Sequence, residues 1–267
     1  MLELGFFRNP RFSVASVASG TANFAFAGTL FVLTQLLQFV FGYSPLAAGL
    51  ALVPMAASFM VAGLLGPRLA ERIGTKRAVA SALAIFAAGL IVLTAANVHA
   101  GFGVVLAATL TIGVGFGFTL APTTDAVVGA VPREKAGMAS GTLSATRQVA
   151  TAMGVAVVGS LLVSGYRSSL RTHTRDQGLS RANASEARTS LGTALAIAHD
   201  LGGAAGHALG DAARVAFIHG MRVGLVVSAT LLGLGAILAL RYLPARALNA
   251  RDADEARQVP VLDVLVD

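Results

Sequence analysis

The chain has no cysteine, only two lysines (Lys76 and Lys135) and few charges of either sign. Without cysteine there is no disulfide framework, no thiolate metal site and no thiol nucleophile. Asp, Glu, Lys and Arg together make up 12% of the residues, against about 25% in a soluble domain. Residues 12–67 contain no Asp, Glu, Lys, Arg or His, and in residues 78–124 the only one is His99. Uncharged runs of this length exclude an ordinary soluble fold and indicate a polytopic membrane protein. His99, His173, His199, His207 and His219 join no cluster of carboxylates, so neither a metal nor a cofactor is expected. No grouping of nucleophile, base and orienting residue is visible, which makes an intramembrane enzyme a remote third reading.

What the sequence does contain is apolar and basic. It is 55% hydrophobic, with a formal net charge of +7. The basic residues stand mainly at the ends of apolar runs and are not interleaved with aromatics. They read as topology signals, and no nucleic-acid partner is expected. The excess of Arg over Lys, with abundant Ala, Gly and Val, has the composition of a high-GC bacterial genome.

The runs predict six transmembrane helices at about 12–38, 46–66, 78–96, 102–124, 138–163 and 217–240, all in one unit spanning 1–267. Pro54 is expected to kink the second. Residues 164–214 form a long polar segment, with helical apolar spacing from Glu186 to His199 and a glycine-rich break from Gly202, or else a disordered loop. Residues 241–267 are a charged tail. With six alternating spans, Arg8, Arg11, Arg68, Arg72, Lys76, Arg77, Arg133, Lys135, Arg241, Arg246, Arg251 and Arg257 fall on one side. The two short loops opposite carry no Lys or Arg, so both termini are expected in the cytoplasm. Arg167, Arg171, Arg175, Arg181 and Arg188 go against the rule, as long translocated segments are free to do.

The densest charge sits in residues 66–77, GPRLAERIGTKR. Gly66 suits a close helix approach, Gly74 a left-handed helix end, and Glu71 a position at a helix N-terminus. Arg68, Arg72, Lys76 and Arg77 suit lipid phosphates and a cytoplasmic location. The plainer reading is a basic turn that only fixes topology. Further along, Gly113, Gly115 and Gly117 lie inside an apolar span. With Gly137 and Gly141 they are expected to let helices pack closely in lipid.

The pattern in 66–77 resembles the loop between the second and third helices of the major facilitator superfamily. Together with FRNPRF (7–12), LQFVFGYSP (37–45), GVGFGFTLAP (113–122), VPREKAGMASG (131–141), ATRQVATAMGVA (145–156) and AFIHGMR (216–222), it is similar to the carboxyl-terminal six spans of fourteen-span drug:proton antiporters. The resemblance implies an all-α half-bundle, with the first and fourth spans facing a central cavity. Along that path it places Ser16, Asn23, Thr34, Gln35, Gln38, Thr119 and Thr123. It assigns Gly66, Glu71, Arg72, Gly74, Lys76, Arg77 and Arg147 to gating. Arg147 is expected to pair with a group outside the chain. Asp125, the only acidic residue at the edge of a predicted span, is a candidate proton carrier or else a wetted helix-end residue. Interhelical hydrogen bonding is the bland reading for each polar residue in the spans. The partners implied are membrane lipid, a lipophilic or amphiphilic small molecule, and a missing amino-terminal half or a second copy. The competing class is a truncated, non-transporting fragment or an accessory membrane subunit.

Overall fold

A computed structural model describes residues 4–98, 102–173 and 181–243. Among them are nine α-helices and no strand. Six helical runs are long and apolar enough to cross a membrane: Pro10–Val40, Pro45–Ile73, Thr75–Thr94, Phe102–Val128, Arg133–Thr172 and Gly203–Tyr242. The chain is an all-α, multi-pass membrane protein.

Local chemistry sets the helix ends. Asn9 caps α1 (Pro10–Gln35): its Oδ1 accepts from the Arg11 N–H at 3.0 Å, and Pro10 occupies the first turn. The Asn9 Nδ2 donates to the Ala130 carbonyl at 3.0 Å, tying the start of α1 to the chain beyond the fourth span. A π-helical turn at Leu36–Val40 continues α1. Ser44 caps α2 (Pro45–Ala51), accepting from the Ala47 N–H at 3.2 Å. The helix ends at Leu52, and α3 (Val53–Ile73) begins afresh with Pro54 in its first turn. Pro54 therefore starts a helix and does not kink one, because its missing N–H costs nothing there.

The expected loop at 66–77 contracts to one residue. α3 runs through Pro67 to Ile73, and α4 (Thr75–Thr94) follows at once. Gly74 makes the reversal at φ 84° and ψ 151°, a region essentially open only to glycine. α5 (Phe102–Val128) is the fourth span, and a short 3₁₀ turn at Arg133–Lys135 leads into α6 (Ala136–His173). The helix expected over 186–199 is divided: α7 (Arg181–Ala187) ends before Arg188, and Ser190 caps α8 (Leu191–Leu201). Gly202, at φ 59°, separates α8 from α9 (Gly203–Tyr242). Residues 244–267, most of the tail, lie outside the described residues, as do 99–101 of the second short turn.

The six spans form two layers. In front, α3 packs on α5, α5 on α1 and α1 on α6; behind, α4 packs on α9, α5 on α4 and α6 on α9. Between the triplets α1–α3–α4 and α5–α6–α9, α3 meets α5 as α6 meets α1, whereas α6 packs on α9 far more than α3 does on α4. The first relation is of the kind that internal repeats give in many transporter folds. The spans of α3 and α6 are the least covered, 22% buried each against 44–56% for the others. The edges of the front layer are thus open on more than one side.

Glycine sets the helix separations. A Cβ on Gly154 of α6 would overlap the Phe24 carbonyl of α1, and one on Gly220 of α9 would overlap the Leu162 carbonyl of α6. Gly113 and Gly117 seat α5 against the backbone of α3, and Gly115 seats it against Phe86 of α4. The expected packing role holds for these three. Gly137 and Gly141 have no described atom near enough to contact a Cβ, so their expected close contact is not made within the chain.

α6 and α9 have 38 and 40 residues, or about 57 and 60 Å at 1.5 Å per residue. The hydrocarbon core is about 30 Å thick, so both helices extend well beyond it. At the end opposite Gly74 they meet α7 and α8 in a helical cap. There the Tyr166 hydroxyl donates to the Ala187 carbonyl at 2.8 Å.

Candidate substrate path and gating elements

The front layer carries a polar junction inside the membrane. Arg147, on α6, reaches sideways to two helices. Its Nε donates to Ser19 Oγ of α1 at 2.7 Å. Its Nη2 donates to Thr124 Oγ1 of α5 at 2.9 Å, with Thr123 Oγ1 at 3.5 Å and the Leu120 carbonyl at 3.4 Å. A guanidinium has donors in a rigid fork, so one side chain can hold two separate acceptors. The Asn23 Nδ2 donates to the Ser19 carbonyl at 2.8 Å and extends the junction along α1. An unpaired cation in a bilayer is costly, and here the cost is met by hydroxyls and a carbonyl. The expectation that Arg147 pairs outside the chain is corrected, because α1 and α5 supply its partners.

Ser19 was not among the residues expected on the path. It lies three residues after Ser16 and four before Asn23, the spacing of one helical face. That run of three polar residues in an apolar helix was the available signal.

Thr119 and Thr123 are fully buried. Their hydroxyls donate to the Gly115 and Thr119 carbonyls of their own helix, both at 2.8 Å. A membrane threonine satisfies itself this way and needs no cavity. On α5, Thr111, Val114, Phe118, Ala121 and Asp125 are half-buried or exposed and fall on one face. Thr119 and Thr123 therefore stand off that face, though Thr123 still touches Arg147.

On α1, Asn23, Phe26, Ala27, Leu30 and Thr34 form a half-buried stripe. Thr34 Oγ1 donates to the Phe31 carbonyl at 2.9 Å. Gln35 and Gln38 are half-buried at the junction of α1 with the π turn. Ser16 is different: its Oγ is buried and has no hydrogen-bond partner among the described residues. Asp125 is exposed and forms no ion pair among the described residues.

Four rings fix the helices at mid-span. Phe116 of α5 stacks on Phe26 of α1 with centroids 4.1 Å apart and planes at 9°. It also meets Phe59 of α3 at 5.4 Å and Phe86 of α4 at 6.0 Å. The residue sits between Gly115 and Gly117, which bring the neighbouring backbones close enough for this contact. The sequence reading saw the glycines and missed the ring they serve.

At the α3–α4 reversal, Glu71 lies in the last turn of α3 and is exposed. It is not at a helix N-terminus, contrary to expectation, because α3 continues past Pro67. At that end of a helix a carboxylate opposes the dipole and Arg72 favours it. Lys76 and Arg77 stand in the first turn of α4, where cations are unfavourable. Helix stability therefore does not explain Glu71, Lys76 or Arg77. Gly66 packs against α5, where a Cβ would meet the Ala121 Cβ at 3.8 Å and the Gly117 carbonyl at 3.9 Å, an ordinary contact.

Comparison with known proteins agrees with this architecture. The sequence profile described as Major Facilitator Superfamily matches residues 2–155. The chain is 29% identical over 231 residues to the multidrug efflux pump LfrA of Mycolicibacterium smegmatis, covering 86% of this chain and 45% of that protein. It is 33% identical over 173 residues to the multidrug resistance protein Stp of Mycobacterium tuberculosis, covering 65% of this chain and 32% of Stp. With the methyl viologen resistance protein SmvA of Salmonella typhimurium it shares 27% identity over 237 residues, 89% of this chain and 47% of SmvA. The chain thus spans less than half the length of these relatives. The matches point to a transporter rather than an enzyme. With six apolar spans and a family profile covering more than half its length, this chain belongs to the major facilitator superfamily.

Proposed function

We propose that this chain is the carboxyl-terminal half of a fourteen-span efflux transporter. Joined to an amino-terminal half in the bacterial cytoplasmic membrane, it exports lipophilic or amphiphilic compounds in exchange for protons. The observation that carries the reading is the Arg147 junction in a front layer whose outer helices, α3 and α6, are largely uncovered. A second bundle placed there would enclose the stripe of Asn23, Phe26, Ala27, Leu30 and Thr34. Substrates in such folds bind near the bilayer midplane, between the two repeats. The names of the relatives, a multidrug efflux pump and two resistance proteins, support a drug-like cargo. Asp125, exposed at the edge of α5, is the proposed proton carrier; Arg147 and the α3–α4 reversal are the proposed moving parts. Glu71 is free to meet a helix end of the other half.

Reconstitution tests the reading. The purified chain alone in proteoliposomes should move no drug, and co-reconstitution with an amino-terminal six- or eight-span half should restore efflux that collapses with the proton gradient. Proton-coupled efflux by the monomeric chain would overturn the half-transporter reading. Failure in every pairing, self-pairing included, would favour the accessory-subunit reading.

Orientation is a separate expectation: both termini in the cytoplasm and 164–214 outside. In this cysteine-free chain, Ser180→Cys should react with an impermeant thiol reagent in intact cells and Glu255→Cys should not. The reverse pattern would invert the topology.

A further inference from the structure

Three of the arginines that break the charge rule, Arg167, Arg171 and Arg188, are brought together by the fold. At the end of α6 opposite Gly74 lies a cleft of about 690 Å³. Arg167 and Arg171 of α6 line it, with Arg188 from the turn between α7 and α8. The turn is held in place: Arg167 Nε donates to the Arg188 carbonyl at 3.3 Å, and the Tyr166 hydroxyl donates to the Ala187 and Ser190 carbonyls at 2.8 and 3.3 Å. The Arg188 Nε is buried and has no hydrogen-bond partner among the described residues. Among the described residues, none of the three guanidinium groups forms an ion pair.

Three cations converging without a carboxylate repel one another, and a buried N–H left unbonded costs free energy. Both costs are relieved by an anion with several acceptor oxygens. Phosphate fits the planar fork of arginine bidentately.

The rest of the wall identifies the carrier of that phosphate. Below the arginines, on the same face of α6, the cleft continues along Ala156, Gly159 and Val163, with Ser160 between. Ala156 and Arg171 are fifteen residues apart on one helix, or about 22 Å. This compares with the depth of one leaflet, half of a ~30 Å hydrocarbon core plus its headgroups. A small-residue apolar groove capped by cations matches an acyl chain capped by an acidic headgroup. We propose that this cleft binds an anionic phospholipid, its phosphate held by Arg167, Arg171 and Arg188 and one chain lying along α6. The site needs the face of α6 that carries Arg167 and Arg171 to meet lipid, so it is compatible with the transport reading only where the second bundle leaves that face uncovered.

Native mass spectrometry of the purified chain tests this, after equilibration with mixed micelles of phosphatidylglycerol and phosphatidylcholine. The wild-type chain should retain phosphatidylglycerol over phosphatidylcholine by at least fivefold. Arg167→Gln with Arg171→Gln should bring that ratio near one, and Arg188→Gln alone should lower it about threefold. Arg167 and Arg171 are exposed, so the double variant should keep its fold, checked by thermal melting. Arg214→Gln, which removes a half-buried arginine paired with Asp211, should leave the ratio unchanged. Equal retention of the two lipids by the wild type would overturn the proposal. So would an unchanged ratio in the cleft variants, or an equal fall in Arg214→Gln. Millimolar inorganic phosphate that displaces the lipid completely would replace it with a free-anion site.

Discussion

Arg147→Met should abolish drug efflux by the assembled transporter, a fall of tenfold or more, while the chain still inserts and folds. Methionine keeps most of the volume and removes the charge, a kind of exchange that is often neutral or stabilising for a buried ion. What it removes is the fork joining α1, α5 and α6 through Ser19, Thr123 and Thr124. Thr124 already donates to the Leu120 carbonyl at 2.8 Å, so it is not left without a partner. Ser19 loses its donor, and a serine in a membrane helix can turn its hydroxyl to a carbonyl of its own helix. Stability should therefore change by less than about 1.5 kcal/mol, as for a tolerated core exchange. Transport should suffer more, because the three helices no longer share one switchable contact. Arg147→Lys should give intermediate rates: its ammonium keeps the charge but cannot present two separated donors in a plane. The measurement is efflux by the reconstituted pair, with thermal melting of each variant alongside. Wild-type efflux in Arg147→Met would reduce the junction to a packing contact.

The junction also shows what the sequence could and could not reveal. A lone arginine nine residues into an apolar run was visible at once. Its partners were not, because serine and threonine are common in membrane helices and most satisfy their own backbone. The resemblance placed Thr119 and Thr123 on the cavity, yet their one-turn spacing does not say which way a helix is turned. The turn is set by Gly113, Gly115 and Gly117, which press their faces onto α3 and α4 and so leave Thr111, Val114, Phe118, Ala121 and Asp125 more open.

Span existence was legible for a different reason. An uncharged run can be read from composition alone, because every charge in hydrocarbon is penalised. Helix ends follow another rule. Past residue 163, α6 becomes rich in Ser and Arg, and hydropathy stops registering it. The backbone stays helical to His173 because packing supports it: Tyr166 is clamped to the α7–α8 turn, and Leu170 is fully buried. Pro67 misled in the opposite sense. It appears to end a helix, yet α3 runs six residues beyond it to Ile73. That extension moves Glu71 from the expected N-terminal position to a C-terminal turn.

Two alanine substitutions on α9 should move stability in opposite directions. Gly220 faces α6 so closely that a Cβ would overlap the Leu162 carbonyl, and the Tyr166 nitrogen would lie 2.9 Å from it. These are backbone atoms inside a helix and cannot rotate away. Gly220→Ala must therefore push α9 off α6, loosening the contact with Gly165 one turn along. Overpacking of this kind costs about 1–3 kcal/mol, and in lipid no hydrophobic gain offsets a lost close contact. Gly233 lies thirteen residues further on the same helix, and a Cβ there would meet nothing within 4 Å. Gly233→Ala has no clash to oppose the propensity gain of alanine over glycine, about 0.5–1 kcal/mol in a helix interior. Thermal melting in detergent should place Gly220→Ala several degrees below the wild type and Gly233→Ala at or slightly above it. The comparison separates a general intolerance of α9 to alanine from a specific contact, since both variants add one methyl group to the same helix. Equal melting temperatures in the two variants would mean that α6 and α9 do not cross at Gly165 and Gly220. A large loss in Gly233→Ala alone would instead place an unseen partner against the outer face of α9.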